Sequence, residues 1–213
     1  MICGVDEAGK GSVLGPMVIA AVSCTSEDLL SDINLRDSKL LPAPERERLS
    51  AIIRKRCKVA VIKIDAHKID SLRRDMTMNS CVARAHAEAI NKLAPTTAYV
   101  DACDVNPFRY AEMVRSHLTL DCEIVSEHHA DSSFRIVSAA SIIAKVARDK
   151  EIAKLAEKYG EIGSGYPSDP TTIAYLSRYI DEYREAPSIA RKSWKTVSAL
   201  IGKREQSSLS AFF

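Results

Sequence analysis

Four acidic residues fall where a chain can concentrate negative charge. Asp6 and Glu7 follow a short apolar run, 2–5, that reads as a strand. Asp101 closes a second short run, Ala98-Tyr99-Val100. Asp131 lies just beyond a third, 122–125, where a long helix begins. In α/β sheets, sites gather at strand ends, and adjacent strands bring distant residues close. Carboxylates gathered there repel one another, and the cluster holds only if some protonate or cations bind. All-oxygen ligands suit Mg²⁺ or Mn²⁺ rather than zinc. The alternative is that each Asp simply caps a turn, since with 28 acidic residues some end up at strand ends by chance. Asp104 and Asp121 compete with Asp101 for the same role; the strand ending at Asp101 favours Asp101. One geometric condition remains. Neighbours on a strand point to opposite faces, so Asp6 and Glu7 reach one site only if the strand ends or bends there.

Directly after the carboxylate pair, Gly9-Lys10-Gly11 and then Gly15-Pro16 form a glycine loop. Two glycines around a lysine let backbone N–H groups approach an anion or a sugar hydroxyl. A dinucleotide-binding reading fails: the spacing is GxGxxxG, and a strand follows where a helix should. The GK[ST] of a phosphate-binding P-loop is missing too. A bare phosphate beside Asp6 and Glu7 would be repelled unless a cation lay between them. Metal, phosphate and glycine loop therefore make a consistent set; a simple hairpin loop is the competing reading.

The elements that must position these residues follow from patterning. The spacing predicts strands over 2–5, 17–22, 58–64, 98–101 and 122–125. It predicts helices over 44–56, 78–93, 107–117, 132–159, 170–183 and 189–201. Thr77 or Asp75 would cap the second of these, and Pro107 would open the third. The middle of the long helix is built from small residues (Ser138, Ala139, Ala140, Ser141, Ala144, Ala147), so it can approach a sheet closely. Later strands alternate with helices, which implies parallel pairing through crossovers. The expected fold class is α/β: a mixed five-stranded sheet flanked by helices, with a C-terminal helical extension.

Composition sets the outer limits. The chain has 213 residues, 46% hydrophobic and 27% charged, which excludes wholesale disorder, collagen-like sequence and fibrous repeats. One domain over 1–200 is expected, because no Pro/Gly/Ser-rich stretch divides it. The net charge of +2 is too mild to identify a nucleic-acid partner, so any basic face must be local. Arg184, Arg191, Lys192, Lys195, Lys203 and Arg204 supply such a face near the end of the chain. Six cysteines lie scattered without a CxxC pair and are expected as reduced core residues. The N-terminus lacks a basic leader, and the longest apolar run, 17–22, falls far short of the ~20 residues that span a bilayer. A cytoplasmic, monomeric protein with no membrane partner is expected.

Four separated motifs now become specific. Asp6-Glu7-Ala8-Gly9-Lys10-Gly11-Ser12-Val13-Leu14-Gly15-Pro16 resembles the N-terminal signature of type 2 ribonucleases H, the ribonuclease HII family. So do Arg36-Asp37-Ser38-Lys39-Leu40 and the stretch from Ser138-Ala139-Ala140-Ser141 to Ala147-Arg148-Asp149. Gly163-Ser164-Gly165-Tyr166-Pro167-Ser168-Asp169-Pro170 looks like the archaeal branch. They occur in order across about residues 1 to 200.

The resemblance implies a ribonuclease H-like fold, with three antiparallel strands followed by alternating strands and helices. It implies hydrolysis of the RNA strand of RNA–DNA hybrids and nicking 5′ of a ribonucleotide embedded in duplex DNA. The products would carry a 5′-phosphate and a 3′-hydroxyl, with roles in ribonucleotide removal and primer processing. Catalysis would rest on Asp6, Glu7, Asp101 and Asp131 holding two divalent ions, Mg²⁺ or Mn²⁺. Gly9, Lys10 and Gly11 would bond the 2′-hydroxyl through the backbone, and Tyr166 would stack on the following sugar. Lys10 stands where the family usually has arginine, a change without effect only if the backbone does the recognising. Lys39, Lys145 and Arg148 are candidate phosphate contacts. His128 and His129 flank Asp131 and could shuttle a proton; ordinary surface residues are the competing reading. Another nuclease of the same fold, or a clamp-associated nucleic-acid-binding module, are the alternative functions.

The chain ends Gln206-Ser207-Ser208-Leu209-Ser210-Ala211-Phe212-Phe213. The pattern Q-x-x-L-x-x-F-F matches the sliding-clamp (PCNA) interaction motif, with Gln206, Leu209, Phe212 and Phe213 as anchors. Residues 201–213 are accordingly expected as a flexible tail. The competing reading folds Phe212 and Phe213 back onto the domain.

Overall fold

A computed structural model describes residues 1–35 and 41–210, with side chains to residue 203. The Arg36–Leu40 motif, including Lys39, and the terminal Phe212 and Phe213 lie outside the described residues. Strands β1 (Ile2–Ala8), β2 (Met17–Cys24), β3 (Lys58–Ile64), β4 (Thr97–Asp101) and β5 (Glu123–Glu127) make one sheet in the order β3-β2-β1-β4-β5. β1 is antiparallel to β2 and parallel to β4, and β4 is parallel to β5. The helices are α1 (Ala43–Arg56), α2 (Ala66–Leu72), α3 (Met78–Leu93), α4 (Pro107–Arg115), α5 (Ala130–Ser133), α6 (Arg135–Tyr159), α7 (Pro170–Tyr183) and α8 (Lys195–Ser210). The mixed five-stranded sheet is the one expected.

The chain forms two compact units. The first takes Met1–Ala8, Val18–Lys63 and Met76–Arg148; the second takes Gly9–Met17, Ile64–Asp75 and the chain from Asp149. The chain passes between the two sets several times within ordinary elements, so no linker marks the division.

In the first unit the buried β2 and the small-residue stretch of α6 share one core, with Leu30, Leu49, Ile53 and Ile136. Gly4 is what allows the approach: a Cβ there would overlap the Ile136 backbone. The start of α6 is tied down by the Glu27 carboxylate, which accepts from the Ile136 N–H at 3.0 Å, the sign of charge a helix N-terminus favours. α3 is capped by Thr77, whose hydroxyl accepts from the Ser80 N–H at 3.1 Å. α4 is capped by Asn106 ahead of Pro107.

The second unit has its own core, formed by Val13, Leu14, Ile162, Tyr175, Leu176, Ile180, Ile189 and Val197. Ile152 and Leu155, from the latter part of α6, pack against it.

Several elements depart from expectation, a short 3-10 helix over Glu27–Leu30 among them. The long helix starts as two: Phe134 is extended between α5 and α6, and its ring packs 4.4 Å from that of Tyr99. α2 was not anticipated; Asp65 caps it by accepting from the Lys68 N–H at 2.7 Å. The last helix starts at Lys195 rather than 189 and runs on through Ser210, so the expected tail begins as helix. Residues 189–191 are unavailable to it because Gly15 N–H donates to the Ile189 carbonyl and Arg191 N–H to that of Val13. None of the six cysteines forms a disulfide. Among the described residues, no helix is long and apolar enough to cross a membrane.

Candidate active site

β1 does not end before its two carboxylates. Asp6 pairs with Ala20 and Glu7 with Ile19 in the continuing ladder, so the two side chains leave opposite faces of the sheet. Asp6 goes to the α6 face and is 7% exposed. It takes a hydrogen bond from the Ser141 hydroxyl, and Ser141 in turn accepts from Lys145 Nζ at 2.6 Å. Glu7 goes to the α3 face, where its Oε2 lies 3.1 Å from Nε2 of His86. The bend required for both to enter one site from one face is therefore not what the strand does.

The two are nonetheless electrostatically joined, and Asp101 joins them. Burial pushes the Asp6 carboxyl up to about 8, with the Glu7 charge adding to it, the Ser141 hydrogen bond opposing it and the Asp101 charge adding further. Asp101 is the last residue of β4, and its Oδ1 accepts from the Ala130 N–H at 2.9 Å. That bond ties the end of β4 to α5, which carries Asp131. The Ser138 hydroxyl of α6 donates to the Asp131 carbonyl. Strand ends and one short helix thus bring all four expected carboxylates into the first unit.

Their chemistry fits a hard divalent cation: the donors are all oxygen, and the ionised form of Asp6 is disfavoured by its acidic neighbours in the way a cation would relieve. A ready-made cage is a different matter. Among the described residues no three His, Cys, Asp or Glu side chains stand at ligand spacing.

The competitors are accounted for. Asp104 is held by Arg109 and by Asn79 Nδ2 at 3.2 Å and the Asn106 N–H at 3.0 Å, contacts that keep its carboxyl below the ordinary range. Asp121 is exposed. His128 is exposed and contacts the Val105 carbonyl at 3.3 Å; His129 takes the left-handed backbone position before α5.

In the second unit the glycine loop and the tyrosine meet. The Gly9 N–H donates to the Tyr166 hydroxyl at 3.1 Å. The Gly165 carbonyl accepts from the N–H groups of Val13 and Leu14 at 2.8 and 3.1 Å. The Tyr166 loop is shaped by Asp169, which accepts from the Ser164 and Thr171 N–H groups at 2.6 and 2.9 Å; these bonds draw its carboxyl down to about 2. Gly163 has φ +67 and a Cβ there would lie 2.6 Å from Asp169, so only glycine suits the turn.

Arg191 overturns one expectation. It was placed on a basic surface, but it is fully buried. Its Nη1 donates to the Lys10 carbonyl at 2.8 Å, and its Nε and Nη2 to that of Gly15 at 3.3 and 3.1 Å. It holds the glycine loop rather than a phosphate. Arg148 is likewise buried, at 3% exposed.

Residues 3–197 match the family model for ribonuclease HII. The chain belongs to the ribonuclease HII family. It is 68% identical over 213 residues to the ribonuclease HII of Methanoregula boonei, with all of both chains covered. The ribonuclease HII in the PCNA:RNase HII complex from Archaeoglobus fulgidus is 44% identical, with a TM-score of 0.88 over 94% of this chain and 96% of that one. Ribonuclease H2 from Pyrococcus horikoshii is 40% identical, with a TM-score of 0.89 over 96% and 99%. The fold is ribonuclease H-like, and the protein is a ribonuclease H enzyme.

Three residues around the candidate site carry no sequence signal that points to it as clearly as the carboxylates do. Ser141 enters the sequence reading as a small residue and as part of a family motif, without a role of its own, and nothing local marks it as a carboxylate's partner. His86 was passed over on the apolar face of α3, although a histidine among Val82, Ala85 and Ala89 is itself a signal. Tyr110, fully buried on α4, bonds to that histidine.

Proposed function

We propose that this ribonuclease HII hydrolyses the RNA strand of RNA–DNA hybrids and nicks 5′ of single ribonucleotides in duplex DNA, leaving 5′-phosphate and 3′-hydroxyl ends. Removal of ribonucleotides and processing of primers would be its roles. The observation that carries this reading is the match of residues 3–197 to the ribonuclease HII family model, together with four carboxylates on adjoining strands β1 and β4 and on the short helix tied to β4. Acidic groups gathered at adjacent strands are costly in themselves and useful for binding cations.

Asp6, Glu7, Asp101 and Asp131 would hold two Mg²⁺ or Mn²⁺ ions. When bound, such ions lower the pKa of water and stabilise the charge developing on the leaving oxygen. Ser141 orients the Asp6 carboxylate. Gly9, Lys10 and Gly11 bind the ribose through backbone groups, and the ribose competes with Tyr166 for the Gly9 N–H. Selectivity for RNA then follows from the 2′-hydroxyl, both donor and acceptor. Tyr166 packs against the next sugar, where a deoxyribose presents an unobstructed face. Lys145 adds positive charge beside the site, and Lys39 is a further phosphate contact; Arg148, buried within the first unit, is not one. Recognition through backbone groups also explains why Lys10 serves where arginine is usual.

The C-terminal segment would dock on a sliding clamp. The helix of α8 places Gln206 and Leu209 one turn apart, and the Archaeoglobus fulgidus relative is known in a complex with PCNA. Loss of clamp binding in the Phe212→Ala, Phe213→Ala double variant, with cleavage retained, tests this part.

The test of the activity is cleavage of a labelled DNA duplex containing one ribonucleotide, with and without Mg²⁺. An all-DNA duplex and the Asp131→Asn protein serve as controls. Metal-dependent nicking at the ribonucleotide alone, lost in the variant, is the expected result. Cutting of the all-DNA duplex would overturn the assignment.

A further inference from the structure

We infer that His86, anchored by Tyr110, is a positioning residue that fixes the Glu7 carboxylate; the inference rests on the reading of Glu7 as an ion-holding residue. Three side chains from three elements make the relay: Glu7 near the end of β1, His86 in α3 and Tyr110 in α4. His86 and Tyr110 are both fully buried, and the Glu7 side chain is 12% exposed.

A buried imidazole is tolerated where its ring nitrogens find partners. Here both do. Nε2 lies 3.1 Å from Glu7 Oε2 and Nδ1 lies 3.1 Å from the Tyr110 hydroxyl. For a neutral ring facing an ionised carboxylate, the partners assign one tautomer. An ionised carboxylate only accepts, so Nε2 carries the hydrogen and donates it. In the neutral ring Nδ1 then accepts from the tyrosine O–H. That hydroxyl keeps its proton, because burial pushes its ionisation well above the ordinary tyrosine range. The rings meet edge to face, at 86° and 5.9 Å between centroids, so the imidazole is held by packing as well as by hydrogen bonds.

The relay solves a problem that the strand creates. Glu7 leaves β1 on the face opposite Asp6 and therefore cannot share the support that Ser141 gives its neighbour. With Oε2 engaged by His86, the carboxylate keeps one orientation, with Oε1 and the remaining lone pair of Oε2 left for a cation. Hydrogen-bonding partners of this kind typically contribute 10–100-fold to metal affinity or activity.

The test measures Mn²⁺ binding to the metal-free full-length protein by electron paramagnetic resonance, which needs no substrate. Wild type is compared with His86→Phe, His86→Gln, Tyr110→Phe and Glu7→Gln, each checked for folding by circular dichroism. His86→Phe is expected to weaken Mn²⁺ binding by about tenfold. His86→Gln keeps an N–H donor and recovers most of that loss. Tyr110→Phe retains the ring, removes the hydroxyl and gives a smaller loss. Wild-type affinity in folded His86→Phe beside a clear loss in Glu7→Gln overturns the role of His86 alone. Unchanged binding in Glu7→Gln overturns the reading of Glu7 and the relay with it. If His86→Phe fails to fold, Tyr110→Phe decides, and unchanged binding there overturns the proposal.

Discussion

Lys145 and Ser141 stand one helical turn apart on α6, and the lysine ammonium donates to the serine hydroxyl at 2.6 Å. The single hydroxyl proton of Ser141 is thereby directed to Asp6, whose charged form it favours. A cation thus reaches a buried carboxyl through a neutral intermediary, which suits a group that must be ionised to bind metal while sitting beside Glu7 and Asp101. Replacing Ser141 with Ala removes that support, and the Asp6 carboxyl rises further. Cleavage by Ser141→Ala is expected to fall by about tenfold at pH 7. The loss shrinks as pH rises, because the acid limb of the kcat/KM profile moves to higher pH. A pH–rate profile of the variant against wild type checks both parts.

The raised Asp6 pKa also predicts how stability depends on pH and metal. The unfolded carboxyl titrates near 3.9, and the folded one near 8. Between those values the folded chain binds more protons than the unfolded chain, so stability falls as pH rises through this window. Metal-free protein is expected to melt at lower temperature at pH 8 than at pH 5.5, and Asp6→Asn to remove much of the difference. Divalent ions that bind only the folded state act the other way. Chelation should lower Tm more at pH 8 than at pH 5.5. Thermal melts at the two pH values, with Mg²⁺ or with chelator, measure all of this.

Gly4 makes the most direct packing prediction. It sits on the same face of β1 as Asp6, and its missing Cβ is what lets the start of α6 lie against the sheet. The obstacle is the Ile136 backbone, which cannot rotate away as a side chain could. Gly4→Ala should therefore destabilise by about 3 kcal/mol or more. Forcing α6 outward would also move Ser141 from Asp6. Chemical denaturation and the Mn²⁺ affinity of the folded fraction should fall together.

Legibility from sequence divides along physical lines. Local signals carried the elements: Thr77 caps α3, Pro107 opens α4, and α7 runs over Pro170–Tyr183 as its pattern required. The four carboxylates stand out in the sequence because strand ends and a family signature mark them. What stayed hidden were partnerships between side chains far apart in the chain. His86 meets Glu7 across 79 residues, and no period or spacing encodes that pairing. Phe134 breaks the long helix because Tyr99 offers it a ring to pack on, a tertiary gain that outweighs one more helical residue. Arg191 was misplaced for a related reason: charge suggests a surface, and only the fold reveals the carbonyls waiting for it.

Those carbonyls give the last prediction. Lys10 and Gly15 lie 181 and 176 residues from Arg191 and receive three of its N–H donors, while its guanidinium lies 5.0 Å from the Trp194 ring. Arg191→Met keeps much of the volume but leaves both carbonyls without these donors, at about 1–3 kcal/mol for each buried group. At the lower end for both groups, about 2 kcal/mol together, the expected Tm loss is at least roughly 4–8 °C in a chain of this length. Arg191→Lys should not restore it, because one ammonium cannot reproduce a planar fork that serves two acceptors. Since the loop so held includes Gly9 to Gly11, the folded variants should also show a raised KM for a ribonucleotide-containing duplex, with kcat changed less. Steady-state cleavage alongside the melts checks the pair of effects. A normal KM in a destabilised Arg191→Met would separate the loop from ribose recognition.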